Sequence, residues 1–192
     1  MKGFEPEAYR TYLGIWARVC LRKIGYLQSK LDASDVVQEA LLQAHVALKD
    51  FRGATEPEFT AWLREILQNK LWDQKKYYER GKRDVKREQN LYDSIVESSV
   101  RFGMALENIA AVQTNAIQYV ASREKARLLA EALASLPDDQ RTALELRHLE
   151  NQSLTETARF MNRTPASVAG LLRRGLAAMR QSLKEHEKEL QQ

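Results

Sequence analysis

The sequence predicts an all-α fold: two small helical domains joined by a linker, the second containing a helix-turn-helix. Among 192 residues there are eight glycines and four prolines, so few points interrupt regular structure. No segment alternates apolar and polar residues over the length of a strand, whereas apolar residues recur at helical spacing along most of the chain. We expect domains at residues 1–92 and 123–192, divided by a linker at 93–122 that is poor in capping residues.

Periodicity and capping residues place the individual helices. Thr55 with Glu58, and Ser153 with Glu156, have the spacing of capping boxes and mark two helix starts. Pro137 ends one helix and begins the next. The predicted helices, in order, are Glu7–Gln28, Ser34–Phe51, Pro57–Glu79, Arg123–Leu136, Asp138–Leu149, Leu154–Met161 and Pro165–His186.

Composition argues against membrane-spanning and disulfide-stabilised proteins. Hydrophobic residues make up 44% of the chain and charged residues 29%, and no apolar run is long enough to span a bilayer. The opening residues MKGFEPEAYR lack the apolar core of a signal peptide, so we expect a cytoplasmic protein without membrane insertion. The single cysteine, Cys20, has apolar neighbours and is predicted to be a small buried side chain.

Charge is distributed in blocks, although the formal net charge is only +4. Acids outnumber bases from Lys30 to Phe59, and the balance reverses from Trp62 to Gln89. The carboxy-terminal helix pair is a second basic block. This pattern indicates one surface for a basic partner and two for nucleic acid, although solvated charged faces alone produce the same pattern.

The predicted second helix combines an apolar stripe with an acidic end. The stripe should pack inward and consists of Val37, Leu41, Ala44, Leu48 and Phe51. On the other side, at the amino-terminal end, are Asp32, Asp35, Gln38 and Glu39. The helix dipole favours acids there, which is a purely structural explanation. Asp35 and Glu39 are like charges four residues apart without an internal base to offset them, which favours an external cationic partner.

The predicted third helix interleaves aromatic and basic side chains. The aromatic residues are Trp62, Trp72, Tyr77 and Tyr78, and the basic residues are Arg64, Lys70, Lys75, Lys76 and Arg80. Such a surface suits single-stranded nucleic acid, because bases stack on the rings while Lys and Arg contact phosphates. The alternative is that some rings, Trp62 above all, belong to the core. The preceding loop, Phe51–Glu56, contains Gly53 and is placed to form one wall of a pocket.

The carboxy-terminal helix pair has the pattern of a DNA-binding helix-turn-helix. Thr164 and Pro165 supply the N-cap and first-turn residues of its second helix, and Asn162 suits the left-handed conformation of the turn. No acid occurs between Ala158 and Lys184, where the bases are Arg159, Arg163, Arg173, Arg174, Arg180 and Lys184. This geometry fills a major groove, and the alternative is a solvated helical hairpin.

No group of residues predicts catalysis, a metal site or a cofactor. The histidines His45, His148 and His186 lie far apart, and no paired-carboxylate or nucleophile–base arrangement is recognisable. Two other functions remain open at this point. A stand-alone helix-turn-helix regulator leaves the acidic cluster and the aromatic helix unexplained. A recombinase or nuclease would need a metal-binding acid cluster or an activated Ser or Tyr.

Taken together, the two halves resemble bacterial sigma factors of the sigma-70 family, specifically the small extracytoplasmic-function (ECF) type. The resemblance covers about four fifths of the chain, and the order and spacing of two motifs carry it. They are LDASDVVQEALLQAHVALKDFRGATEPEFTAWLREILQNKLWD and LASLPDDQRTALELRHLENQSLTETARFMNRTPASVAGLLRRGLAAMR. The resemblance implies an amino-terminal sigma-2 domain and a carboxy-terminal sigma-4 domain joined by a flexible linker.

The resemblance also implies partners and site residues. The partners are core RNA polymerase, through its β′ clamp helices and β flap, and promoter DNA as duplex and single strands; an anti-sigma factor is a further candidate. The residues that the resemblance assigns to docking on the clamp helices are Asp32, Asp35, Gln38 and Glu39. Recognition and melting of the −10 element fall to Phe51, Arg52, Gly53, Thr55, Asn69, Lys70, Trp72, Asp73 and Lys76. Recognition of the −35 element falls to Arg163, Thr164, Ala166, Ser167, Gly170, Arg173 and Arg174.

The sequence departs from the family pattern in its recognition helix and turns. Small residues, Ala166 and Gly170 among them, stand where family members often carry an early base. Base readout is therefore left to Ser167, Arg163 and Arg173, or is weak. Asn151 and Asn162 replace glycines that are common at the two turns, and Asn accommodates the same conformation.

Overall fold

The computed structural model describes residues 4–78, 95, 97–99, 102 and 125–190, with side chains up to residue 186. The chain forms two compact units, Met1–Arg101 and Phe102–Gln192. Every regular element in the described ranges is a helix, which confirms the predicted all-α class. The domain boundary after residue 92 and most of the linker at 93–122 lie outside the described residues and stay predictions.

The described part of the amino-terminal unit consists mainly of α-helices separated by short 3₁₀ segments. The α-helices are α1 (Arg10–Ile24), α2 (Ala33–Ala47) and α3 (Glu56–Tyr78), and the 3₁₀ segments are Pro6–Tyr9, Tyr26–Ser29 and Leu48–Asp50. The prediction of one unbroken helix from residue 7 to residue 28 is wrong at Gly25. This glycine has a φ of 68°, a left-handed conformation that ends α1.

The apolar sides of α1, α2 and α3 form the core of this unit, and each helix packs against the other two. Trp16 of α1 and Leu63 of α3 are fully buried, and Cys20 is buried as predicted. The α2 stripe is confirmed for Val37, Leu41 and Ala44, whereas Leu48 and Phe51 are half-buried because α2 ends before them.

A buried polar network connects α3 with α1 and with the short helical stretch that contains Ser99. The Arg64 side chain donates one hydrogen bond to the Tyr12 hydroxyl and another, from Nε, to Ser99 Oγ at 3.0 Å. Gln68 Nε2 donates to the carbonyl of Ile95 at 3.3 Å. These contacts tie Ile95 and Ser99 to α3. Breaking them would be costly because the guanidinium would be left buried without partners.

The carboxy-terminal unit is built around its last helix. Its α-helices are α4 (Lys125–Ala134), α5 (Asp138–Leu144), α6 (Leu154–Phe160) and α7 (Pro165–Leu190). A π-helical segment, Glu145–Leu149, continues α5 directly, so the predicted helix over 138–149 has the right span and changes type within it. The three shorter helices all pack on α7.

Both turns around α6 have the predicted chemistry. The Ser153 hydroxyl accepts from the Glu156 amide at 3.2 Å, and the Glu156 carboxylate accepts from the Ser153 amide at 2.7 Å, which confirms the capping box. Asn151 and Asn162 have positive φ values of 57° and 51°. The prediction that asparagine takes the left-handed position is therefore confirmed at each turn.

The orientation of α7 is fixed by a small core and one close helix crossing. The buried members of the core are Ala143, Ala158, Val168 and Leu171, with Leu154, Met161 and Leu172 packed against them. A Cβ atom at Gly175 would lie 2.9 Å from Leu144 Cδ1, so only glycine lets α7 approach α5 this closely.

Candidate protein and nucleic-acid interfaces

The four residues predicted to bind a protein partner lie together at the start of α2. Asp35, Gln38 and Glu39 are exposed within the first turns of the helix. Asp32 is the N-cap, and its Oδ1 accepts a hydrogen bond from the Ser34 amide at 2.8 Å. This bond holds the pKa of Asp32 below its usual value. Asp32 therefore stabilises the helix start as well as adding charge to the surface.

A base from α1 reaches one side of this cluster. Arg10 Nη2 donates to Gln38 Oε1 at 2.7 Å, while Arg10 Nε lies 2.5 Å from the Glu7 carboxylate. Among the described residues, Asp35 and Glu39 have no ion-pair partner. Their repulsion costs a few tenths of a kcal/mol, roughly 0.2–0.5, which a cationic partner would remove.

Two apolar residues extend the exposed face of α2, and the sequence analysis did not identify them. Leu42 is 60% exposed and Val46 is 69% exposed. They follow Asp35 and Glu39 at spacings of three and four residues, so all four lie on one side of the helix. Their sequence positions could have identified them, because Leu42 and Val46 do not belong to the apolar stripe that packs inward. We call these four residues the α2 face.

The loop before α3 is held by aromatic packing. The half-buried Phe51 ring lies 5.3 Å from the Phe59 ring and 5.0 Å from the Trp62 ring, measured between centroids. A Cβ at Gly53 would lie 2.3 Å from Phe51 Cζ, so the loop leaves no room for a side chain there. Arg52 is exposed and is the loop cation best placed to meet a ligand.

Glu58 fixes the end of this loop. Its Oε2 accepts from the Ala54 amide at 2.8 Å and from the amide and hydroxyl of the exposed Thr55 at 2.9 Å each. The Thr55 hydroxyl accepts from the Glu58 amide at 3.4 Å, which confirms the predicted capping box. Because Glu58 accepts three hydrogen bonds from the loop, the backbone of the loop is held in one conformation before any ligand binds.

We expect Glu58→Gln to make the free energy of unfolding less dependent on pH in the acid range. Hydrogen bonds from the Ala54 amide and then from Thr55 lower the pKa of Glu58 in the folded chain. A lowered folded pKa means that the carboxylate stabilises the fold above its unfolded pKa, about 4.3, and that this contribution disappears as the pH falls through the folded value. Urea unfolding midpoints measured from pH 6 to pH 3 should fall less steeply for the variant, and parallel profiles would contradict this role.

The predicted melting residues of α3 are accessible. Asn69, Asp73 and Lys76 are exposed, whereas Lys70 and Trp72 are half-buried. Their spacings of three and four residues place Asn69, Asp73 and Lys76 on one side of the helix. With the half-buried Trp72 ring, they offer an amide, a carboxylate, an ammonium group and an aromatic side chain, which are the groups that bond to and stack on unpaired bases.

Two bases of α3 do not contribute to this surface as expected. Arg64 is only 7% exposed and Lys75 only 3% exposed, so neither is placed to contact phosphates. Arg64 belongs to the buried network with Tyr12, and the Lys75 ammonium lies 4.8 Å from the centroid of the Trp72 ring. Trp62 is half-buried in the aromatic packing, in line with its alternative role as a core residue. The predicted Arg80 lies outside the described residues.

The residues predicted to read duplex DNA gather on the first turns of α7. The Thr164 hydroxyl accepts from the Ser167 amide at 3.2 Å, which caps the helix. Arg173 and Arg174 are exposed. Gly170, one of the small residues at the start of the helix, lies one turn before them. A Cβ at Gly170 would lie 3.3 Å from the nearest Arg174 nitrogen, so this guanidinium lies along the glycine. Two further predicted residues on these turns are the exposed Ala166 and, in the turn before the helix, Arg163.

No acid lies between residues 158 and 184, but Arg163 meets an acid from an earlier helix. Its guanidinium forms an ion pair with Asp139, which lies in the first turn of α5, 24 residues earlier. The side chains are 40% and 54% exposed, so solvent and salt screen the pair and its contribution is small. Arg163 is therefore partly neutralised before any ligand arrives.

Two other features, a membrane-spanning helix and a metal-binding cluster, are absent from the described residues. No described helix is both long and apolar enough to cross a membrane. In the same part of the chain, no three His, Cys, Asp or Glu side chains come together in a group that would hold a metal ion.

The fold and these surfaces define a two-unit, all-helical protein whose second unit contains a helix-turn-helix. Residues 8–81 match the family model for sigma-70 region 2, and residues 126–179 match that for sigma-70 region 4. The chain belongs to the sigma-70 family, and the relatives it matches are sigma factors of the ECF type.

Three relatives show the extent of the similarity. The ECF RNA polymerase sigma-E factors of Escherichia coli strain K12 and Salmonella typhimurium strain LT2 are each 33% identical over 132 residues. That match covers 68% of this chain and 63% of each relative's length. The ECF RNA polymerase sigma factor SigW of Bacillus subtilis strain 168 is 24% identical over 190 residues, which is 96% of this chain and 94% of that protein.

Proposed function

We propose that this chain binds core RNA polymerase and directs promoter-specific transcription initiation by recognising −35 and −10 elements and helping to melt the DNA. The observation that carries the proposal is the order of its surfaces along one chain. The α2 face, the exposed side of α3 and the helix-turn-helix occur in the order that sigma-70 regions 2 and 4 require.

The α2 face is the proposed docking site for the β′ clamp helices. Asp35 and Glu39 supply negative charge that the described part of the chain leaves without ion pairs. Leu42 and Val46 add exposed apolar area directly beyond them. A basic, partly apolar helical partner would offset the repulsion and bury the apolar side chains, so charge would guide association and burial would hold the complex.

The proposed −10 site uses the loop at 51–56 together with the exposed side of α3. Flipping a base out of the duplex costs a few kcal/mol, which the protein must recover by stacking and hydrogen bonds. The Glu58 carboxylate and the packing of Phe51 hold the loop in shape before DNA arrives. Asn69 and Asp73 would bond base edges, and Lys76 would contact the backbone of the separated strand.

The proposed −35 site is the amino-terminal half of α7 in the major groove. The small side chain of Ala166 allows the helix backbone to approach the base edges closely, and at Gly170 the Arg174 guanidinium would have to move aside for a similar approach. Arg173 and Arg174 follow one turn later and would either bond guanine with two hydrogen bonds or contact phosphates. The ion pair between Arg163 and Asp139 would have to exchange for a phosphate contact.

The remaining expectations follow from the same proposal. The β flap would be a second polymerase contact, and an anti-sigma factor would compete for these surfaces. The protein would act in the cytoplasm, where the polymerase is, and would direct the chemistry of the polymerase without catalysing a reaction or needing a cofactor. A stand-alone helix-turn-helix regulator is the alternative, and it gives no role to the α2 face or to α3.

We expect Trp72→Ala to impair strand opening more than the initial binding of promoter duplex. The half-buried Trp72 lies three residues after Asn69 and directly before Asp73, and each base that stacks on a ring contributes roughly 1–3 kcal/mol. Permanganate footprinting of a promoter with reconstituted holoenzyme measures the opening directly. Trp72→Phe, which keeps a ring, should open DNA nearly as well as the unaltered chain. Normal melting with Trp72→Ala would remove this side chain from the proposed role.

A further inference from the structure

A second aromatic and basic surface lies in the amino-terminal unit, where the end of α3 meets the 3₁₀ segment after α1. Lys30 Nζ lies 6.0 Å from the ring centroid of Tyr26 and 5.3 Å from that of Tyr78. These rings are 43% and 41% exposed, and the adjacent Tyr77 is 59% exposed, with its ring 5.4 Å from that of Tyr78. The chain thus brings two accessible rings, Tyr26 and Tyr78, to one ammonium group, with Tyr77 beside Tyr78.

Lys30 also lines a cleft between the end of α1 and the start of α2. The cleft has a volume of about 480 Å³, and its cationic lining residues are Arg18, Arg22 and Lys30, with Asp32 as the carboxylate. Arg18 and Arg22 are one helical turn apart on α1, so their side chains leave the helix on the same side. The uncharged lining includes Gln28 and Ser29, which offer further hydrogen bonds. The excess of positive charge favours an anionic ligand.

Tyr78 lies on the opposite side of α3 from the proposed −10 site. Tyr78 follows Asn69 by nine residues, which at 3.6 residues per turn places the two side chains about 180° apart around α3. Tyr78 continues the side that contains the buried Leu71 and Lys75. A strand held by Asn69 and Lys76 therefore does not explain Tyr78 or the cations of the cleft, whereas Tyr77, four residues after Asp73, borders both surfaces.

We propose that this cleft, together with Tyr26 and Tyr78 beside Lys30, forms a nucleotide-binding site. The phosphate group enters the cleft between Arg22 and Lys30, and the base stacks on Tyr26 or Tyr78. The cation beside the rings keeps the phosphate and the base within one nucleotide's reach of each other. The ligand is either one nucleotide of a single DNA strand or a free nucleoside triphosphate, because both carry the same phosphate and base. The proposal does not rest on the proposed function, and its test uses no polymerase.

The test is binding of a fluorescein-labelled thymidine dodecamer to the full chain, followed by anisotropy at several salt concentrations. Replacing two cations, Arg22→Gln with Lys30→Gln, should weaken binding at least fivefold. It should also reduce the slope of log K against log salt by about 0.7, because the cleft holds one phosphate and each phosphate contact to a single strand contributes roughly 0.7. Tyr78→Leu should weaken binding about fivefold with an unchanged slope, because it removes stacking and no charge.

The matched control removes two other accessible bases of the same unit, Lys23→Gln with Lys49→Gln, which do not line the cleft. Competition with about 1 mM GTP separates the two sources of ligand. Displacement of the dodecamer in the unaltered chain, but not in the cleft variant, identifies a free nucleotide, and retention identifies a strand. If the cleft variant and the control bind the dodecamer with the same affinity and slope, and GTP competes equally with both, the proposal is overturned.

Discussion

A chain in which Asp35 and Glu39 are both alanine will bind core RNA polymerase at least tenfold more weakly than the unaltered chain. Both carboxylates are exposed at the start of α2, and neither has an ion-pair partner among the described residues. Each would form a charge-assisted hydrogen bond to a basic partner, and the loss of one such bond costs about 1.5 kcal/mol or more. Since about 1.4 kcal/mol corresponds to a factor of ten, losing both exceeds that factor.

The control for this prediction is Asp50→Ala, which removes an exposed acid of the same unit outside the α2 face. It should leave affinity for the core enzyme within twofold. Leu42→Ser with Val46→Ser should also weaken assembly, through faster dissociation, because it removes apolar burial and leaves the charge intact. Surface plasmon resonance with immobilised core enzyme separates the two rate constants. Equal affinity of the acid variant and the control would refute docking through α2.

Replacing Arg173 and Arg174 with glutamine will weaken binding to −35 duplex DNA and flatten its salt dependence. If both guanidinium groups contact phosphates, the slope of log K against log salt should decrease by about 1.8, since each contact to duplex DNA contributes roughly 0.9. If one of them bonds guanine instead, the slope should decrease by about 0.9. Discrimination between DNA sequences should then fall by roughly 1–3 kcal/mol at that base pair.

Lys184→Gln is the matched control on the same helix. Lys184 is exposed and follows Arg173 by eleven residues, a rise of roughly 16 Å along α7, which places it away from a groove occupied by the first turns. The control should keep the original slope and affinity in the same fluorescence anisotropy titration. An unchanged slope in the arginine variant would remove both residues from the DNA interface.

Local sequence signals predicted the parts of the structure that local chemistry determines. The capping boxes at Thr55 and Ser153 and the left-handed asparagines are fixed by residues within a few positions of one another, so spacing alone identifies them. The apolar stripe of α2 was also predictable from sequence, because the residues that pack inward recur with the period of the helix. Gly25 was missed because the apolar pattern continues past it, while its left-handed conformation ends α1.

Contacts between distant residues limited the prediction of the candidate sites. The partner of Arg163 lies in α5, and no pattern between residues 158 and 184 indicates it. Arg64 and Lys75 look like surface bases in sequence, but helix packing and the network around Tyr12 bury them. The exposure of Leu42 likewise becomes evident only when the inward side of α2 is known.

The most direct test of the central claim is reconstitution of this chain with core RNA polymerase on genomic DNA, followed by sequencing of transcript 5′ ends. We expect new start sites that share one −35 and one −10 element at fixed spacing, each dependent on the added chain. The same start sites should be lost when Asp35 and Glu39 are replaced by alanine. Transcript ends identical to those of core enzyme alone, or start sites that do not depend on polymerase binding by this chain, would contradict the account.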